Sequence, residues 1–255
     1  MADLLDWTII GPALVAGLIV LSTHVPLGQE VLKRGIIFID LAIAQVAGLG
    51  VIAAYALEWD PQGVQVQIAA VSAALIAAIG LHWTEKRWPA IQEPLIGVLF
   101  ILAATGGILL LAGNPHGSEH LKELLVGQIL WQTWPSLVPI GLLYAVVLAA
   151  WFVLRPRFGA LSFYLAFAVV VTASVQIVGI YLVFASLIIP ALATVGIKRG
   201  NRLIAGYLIG GVSYLAGILL SVMFDLPTGA VIVWSMAAVA LLAGLVISDK
   251  KRPAA

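Results

Sequence analysis

From Trp7 to Ser248 the chain alternates long apolar runs with short polar breaks, and most of the runs approach the ~20 residues a helix needs to cross bilayer hydrocarbon. Expected spans are 7–23, 36–56, 64–82, 94–113, 135–154, 160–177, 178–197, 203–222 and 228–247. The sixth and seventh meet at Gln176–Gly179 with almost no loop, so this stretch is either two full spans or one span plus broken half-helices. Composition agrees. Hydrophobic residues make up 62% and charged residues 10% of the 255, against about 25% charged in a soluble domain. So few charges cannot cover a water-facing surface. The expected fold is all-α: a polytopic membrane helix bundle of about eight or nine transmembrane segments, with residues 1–255 forming one transmembrane domain and membrane lipid as its solvent. Trp7, Trp59, Trp83, Trp88, Trp131 and Trp134 fall beside expected span edges, as an interfacial aromatic belt requires. There is no cysteine, hence no disulfide or thiolate metal site. A net charge of +1 with no basic arm argues against nucleic acid.

The polar breaks set an orientation. With nine spans, Lys33, Arg34, Lys86, Arg87, Arg155, Arg157, Lys198, Arg199, Arg202, Lys250, Lys251 and Arg252 all fall on one side, which the positive-inside rule makes cytoplasmic. Lys122 alone falls opposite, among Asp3, Asp6, Glu58, Asp60, Glu119, Glu123 and Asp225. The N-terminus is therefore expected outside and the C-terminus in the cytoplasm. No Lys or Arg precedes Lys33, so the first run is not expected to be a cleaved signal peptide. Small residues, Gly106-Gly107 and Gly206-x-x-x-Gly210, mark helix faces suited to close packing in lipid, within the chain or between copies.

Few polar groups interrupt the spans. Asp40 lies in the run Gly35-Ile-Ile-Phe-Ile-Asp-Leu-Ala-Ile-Ala-Gln45, where a carboxylate at mid-helix costs roughly 2.5–3.5 kcal/mol on insertion scales. It reads either as part of a cation pathway or relay, or as a structural ion pair or cap one to two turns beyond Lys33-Arg34. Gln45 lies off the face of Asp40. The outer segment Asn114-Pro-His116-Gly-Ser-Glu119-His120-Leu-Lys-Glu123 places two imidazoles four residues apart beside carboxylates, a donor set suited to divalent transition metals. The competing reading makes Ser118 an N-cap, with Glu119 in the first turn. His24 and His82 are expected at membrane edges. Phe224-Asp-Leu-Pro-Thr-Gly229 reads as a turn. No Gly-x-x-x-x-Gly-Lys-[Ser/Thr] loop is present, so an ATP-driven process would need ATP on another chain. No Ser-His-Asp or His-Glu-x-x-His arrangement supports a hydrolase.

The stretch Ser174-Val-Gln-Ile-Val-Gly-Ile-Tyr-Leu-Val-Phe-Ala-Ser-Leu-Ile-Ile-Pro-Ala-Leu-Ala-Thr194 resembles the Val-Gly-x-x-Leu-Val-x-x-Leu-Leu-Ile-Ile-Pro-Ala-x-x-Ala segment of the ABC-3 family of zinc and manganese permeases. Phe224-Asp-Leu-Pro-Thr-Gly-Ala-Val-Ile-Val233 is similar to that family's Asp-Leu-Pro-x-Gly-x-x-Ile-Val. His120-Leu-Lys-Glu-Leu-Leu-Val-Gly-Gln-Ile-Leu130 resembles its loop ending in Leu-Phe-Gly-x-Ile-Leu. The resemblance implies the permease subunit of an ATP-binding cassette importer, with zinc or manganese as cargo. It implies a homodimer in the plasma membrane, two cytoplasmic ATPase subunits and an extracytoplasmic metal-binding protein. No cofactor is expected on this chain. Asp40 and Gln45 would line the pathway, and His116, Glu119 and His120 would receive the ion outside. Pro190, Thr194, Lys198, Arg199 and Arg202 would contact the ATPase. The family's Gly-Asp-x-x-x-His in the second span has no match here: Gln45 or Ala44 stands at the His, and Asp40 is one residue early on one alignment. Two other classes fit the residues alone: a proton-coupled secondary transporter with Asp40 as relay, and a non-transporting membrane scaffold.

Overall fold

The computed structural model describes residues 7–57, 59–60, 63–111, 122, 124–197 and 201–249. Among them are eight long helices: α1 Trp7–Arg34, α2 Ile39–Ala56, α3 Val64–Arg87, α4 Gln92–Leu111, α5 Trp134–Phe158, α6 Ala160–Ala193, α7 Arg202–Phe224 and α8 Thr228–Asp249. All eight are long and apolar enough to cross a membrane. Ile76, Leu109, Val153 and Trp234 are 73%, 75%, 73% and 78% exposed, side chains that only lipid or a partner would solvate.

The stretch left open by the sequence is a single run in two pieces. α6 holds 34 residues with one non-helical residue, Gly179 at φ 78°, ψ 162°. A straight helix of that length would run about 51 Å, well beyond the ~30 Å of hydrocarbon. Only glycine takes that conformation freely, so the break needs no loop residues. The expected segments 160–177 and 178–197 are thus two helical pieces that meet at one residue, with no loop between them.

The helices form two compact units. The first holds the described residues within Met1–Arg34, Val126–Leu142 and Ile177–Ala255. Glycine lets its backbones approach closely, the interaction that holds helices together in lipid. Gly17 lies beneath the Tyr214 ring, and Gly28 against the Leu187 carbonyl. A Cβ on Gly206 would sit 2.7 Å from Val25, and one on Gly210 2.6 Å from Leu21. The Gly206-x-x-x-Gly210 face therefore packs on α1 of the same chain. The Tyr214 hydroxyl bonds Ser186 at 2.8 Å.

α7 ends at Asp225, in the left-handed region at φ 51°, which Asp tolerates better than most residues. Ser221 Oγ donates to the Leu226 carbonyl at 2.6 Å and pairs with Thr228 Oγ1 at 2.6 Å, joining α7 to α8. Ser221→Ala strands both partners. A loss of about 1–2 kcal/mol is expected, seen as a Tm lowered by roughly 2–8 °C in a thermal unfolding scan.

The second unit holds the described residues within Gly35–Leu125 and Leu143–Gln176. α2 packs on α3 through Val51, Ala54, Val66 and Ala70. α4 brings Gly106 and Gly107 against Leu49 and Ile52 of α2. The last part of α5 and the first part of α6 fold back on each other around Gly159, which has φ 54°. Tyr144 bonds Ser174 across that hairpin.

Candidate functional site

α2 begins without a cap of its own. Phe38 occupies the N-cap position and offers no side-chain acceptor. Glu93, in the first turn of α4, supplies one: the Phe38 N–H donates to Glu93 Oε1 at 3.2 Å. This aims a carboxylate at the positive end of the α2 dipole. Asp40 sits in the same first turn of α2 and is 1% exposed. Neither Asp40 carboxyl oxygen has a hydrogen-bond partner, and Glu93 Oε2 is also buried without one. The bond from Phe38 N–H brings the Glu93 carboxyl to the start of α2, two residues before Asp40. Two carboxylates this close, away from water, cannot both stand as anions alone. A cation or a proton must accompany them, and the orphaned oxygens are where it would bind.

The ion-pair reading of Asp40 finds no support in its basic neighbours along the chain. Lys33 and Arg34 pair with Glu30 at 3.9 and 3.2 Å. Glu93 was not identified from the sequence. It falls one residue outside the expected fourth span and 53 residues from Asp40, and only tertiary packing joins them. Gln45 is half-buried on α2, about 140° around the helix from Asp40, so the two share no face. The structure therefore places Asp40 and Glu93 at the same helix start, and Gln45 on another face. A second polar crossing in this unit joins Gln67 Nε2 of α3 to Gln176 Oε1 of α6 at 2.5 Å.

Both histidines expected at membrane edges are buried. His82, 8% exposed, packs against the Tyr164 ring at 5.3 Å, with Nδ1 3.8 Å from Glu85. His24 is fully buried well inside α1, which runs to Arg34 and not to residue 23. The polar cluster around it resembles a span end in sequence but bonds back onto its own helix. Ser22 donates to the Ile19 carbonyl at 2.6 Å and Thr23 to Val20 at 3.0 Å. His24 Nδ1 lies 2.9 Å from the same Val20 oxygen. A carbonyl only accepts, so Nδ1 carries the hydrogen and Nε2 keeps its lone pair.

In the first unit, Thr194 is buried and donates to the carbonyls of Pro190 and Ala191 at 3.0 and 2.9 Å. Arg202 clasps the turn after α6, donating to the carbonyls of Ile197 and Val195 at 2.9 and 2.7 Å. Pro190, Thr194 and Arg202 thus form one knotted segment. Lys198 and Arg199 lie outside the described residues, as do His116, Glu119 and His120. Among the described residues no three His, Cys, Asp or Glu side chains gather as a metal site.

Comparison with known proteins bears on this arrangement. The model of the ABC 3 transport family matches residues 6–171 and 153–247. Over 254 residues the chain is 27% identical to the manganese transport system membrane protein MntC of Halalkalibacterium halodurans, covering 91% of this chain and 85% of that one. It is 24% identical to the high-affinity zinc uptake system membrane protein ZnuB of Haemophilus influenzae, covering 88% and 92%. Its fold is similar to that of PsaBC from Streptococcus pneumoniae in complex with Fab, with a TM-score of 0.74, 22% identity, and coverage of 95% and 94%.

Proposed function

The chain belongs to the ABC 3 transport family, and from that premise we propose that it is the permease subunit of an ATP-driven importer for a divalent transition metal ion in the plasma membrane. The family match over nearly the whole chain carries this reading. The relatives named for manganese and zinc transport point to those two ions as cargo. The carboxylate pair narrows the choice. Oxygen donors suit manganese, whereas zinc gains more from imidazole or thiolate.

The cargo would move past Asp40 and Glu93, whose orphaned oxygens would replace part of the ion's hydration shell, with Gln45 farther along α2. His116, Glu119 and His120 would receive it on the outer side from an extracytoplasmic metal-binding protein. Hydrolysis of ATP would fall to separate cytoplasmic subunits. The segment from Pro190 to Arg202, including Lys198 and Arg199, would dock on them. Its internal clasp favours that role, because a stiff segment passes on a partner's motion as a rigid-body shift. Two copies of the chain would form the translocating unit.

The test is assembly and drive. Tagged permease drawn from its native membrane should bring with it an ATPase bearing a phosphate-binding loop. Vanadate should stop uptake of radiolabelled manganese. Uptake that ignores vanadate but collapses when the proton gradient is dissipated would replace this reading with a proton-coupled transporter.

A further inference from the structure

A groove of about 380 Å³ lies between the last part of α5 and the first part of α6, in the second unit, with Val146, Ala150, Trp151, Leu154, Phe158 and Leu165 among its walls. From Val146 to Phe158 its wall rises about 18 Å, close to the ~15 Å of hydrocarbon in one leaflet. Ser162, its one hydroxyl, is already committed to the Gly159 carbonyl at 2.7 Å. The groove is therefore an apolar slot of acyl-chain length.

Its end at the α5 C-terminus is different. The Arg155 guanidinium lies 5.7 Å from the Trp151 ring centre, and the Arg157 guanidinium 5.8 Å from that of Phe158. Both rings line the groove, so each cation is held against its rim by the ring quadrupole. Trp151 is 4% exposed, and its Nε1–H is buried without an acceptor. An apolar slot with a cation held against each of two of its rings is the complement of one molecule class.

We propose that this groove binds an anionic phospholipid, one acyl chain in the slot and the phosphate against Arg155 and Arg157. Basic pockets between transmembrane helices bind acidic headgroups. A second copy of the chain could cover the apolar wall. An apolar helix face, however, offers no opposite charge to two guanidinium groups, whereas a phosphodiester does.

Native mass spectrometry of the full-length permease tests this, with phosphatidylglycerol and phosphatidylcholine of identical chains as probes. Phosphatidylglycerol should be retained more tightly than phosphatidylcholine, by about tenfold or more. The double variant Arg155→Gln, Arg157→Gln should erase that preference. Ala150→Trp, which fills the slot and keeps both arginines, should lower retention of phosphatidylglycerol. Equal retention of the two lipids by the wild type overturns the proposal, as does wild-type behaviour of either variant. An Ala150→Cys protein that cross-links to a second copy and then excludes lipid gives the groove to the dimer instead.

Discussion

Gly127→Ala is expected to leave the permease without a stable fold, lowering stability by about 3–5 kcal/mol. Two effects add at this position. Gly127 has φ 73°, a left-handed conformation, which costs a residue with a Cβ about 1–2 kcal/mol. The new Cβ would also collide with the backbone of Val178 and Gly179, at the break in α6. Backbone cannot swing aside as a side chain can. Neighbouring contacts hold the junction in place. Gln128 N–H donates to the Ile177 carbonyl at 3.3 Å, and a Cβ on Gly229 would lie 2.6 Å from the Val126 carbonyl oxygen. Two other glycines separate the effects. Gly35 and Gly159 have φ of 71° and 54° with nothing within 4 Å of a new Cβ, so alanine there should cost only the conformational part. Gly97→Ala, in an open helix position, should be neutral or slightly stabilising. Fluorescence-detected size-exclusion chromatography after heating would rank the four variants. If Gly127→Ala survives as well as Gly35→Ala, the backbone junction is not as close as described.

That junction marks how far the sequence could be read. α2, α4, α7 and α8 begin and end within a few residues of the apolar runs, and α1, α3 and α5 begin there but run longer, because hydrocarbon thickness sets span length directly. The break in α6 was visible as Gln176 and Gly179 interrupting an apolar run. That one residue makes it was not visible, since glycine signals freedom and not which conformation is used. α1 outran its expected end because Ser22, Thr23 and His24 look polar in sequence but give their hydrogen bonds to the carbonyls behind them. Asp40 was legible as a misfit in an apolar segment. Its partner was not, because Glu93 sits at a helix start, where an acid is ordinary, and only the packing of α4 on α2 brings it near.

Asp40→Asn should cut metal uptake on the order of 100-fold and, in the same protein, raise thermal stability. The opposite signs follow from the site. A carboxyl with both oxygens buried and without a hydrogen-bond partner, at the same helix start as a second acid, opposes folding, so its neutral isostere should gain about 1–3 kcal/mol. A structural ion pair or helix cap would behave the other way, losing stability on the same change. Glu93→Gln separates the two roles of the second acid. The amide oxygen can still accept the Phe38 N–H, now made by Oε1 at 3.2 Å, so the start of α2 should stay intact. The charge is gone, and uptake should fall about 10–100-fold. Glu93→Ala removes charge and cap together and should cost about 1 kcal/mol more stability than Glu93→Gln. Initial rates of radiolabelled manganese uptake and melting curves on the same preparations give both readouts. Wild-type uptake by Asp40→Asn would take Asp40 off the pathway. A destabilised Asp40→Asn would show that the carboxyl has a partner after all, and that its place in the first turn of α2 is structural.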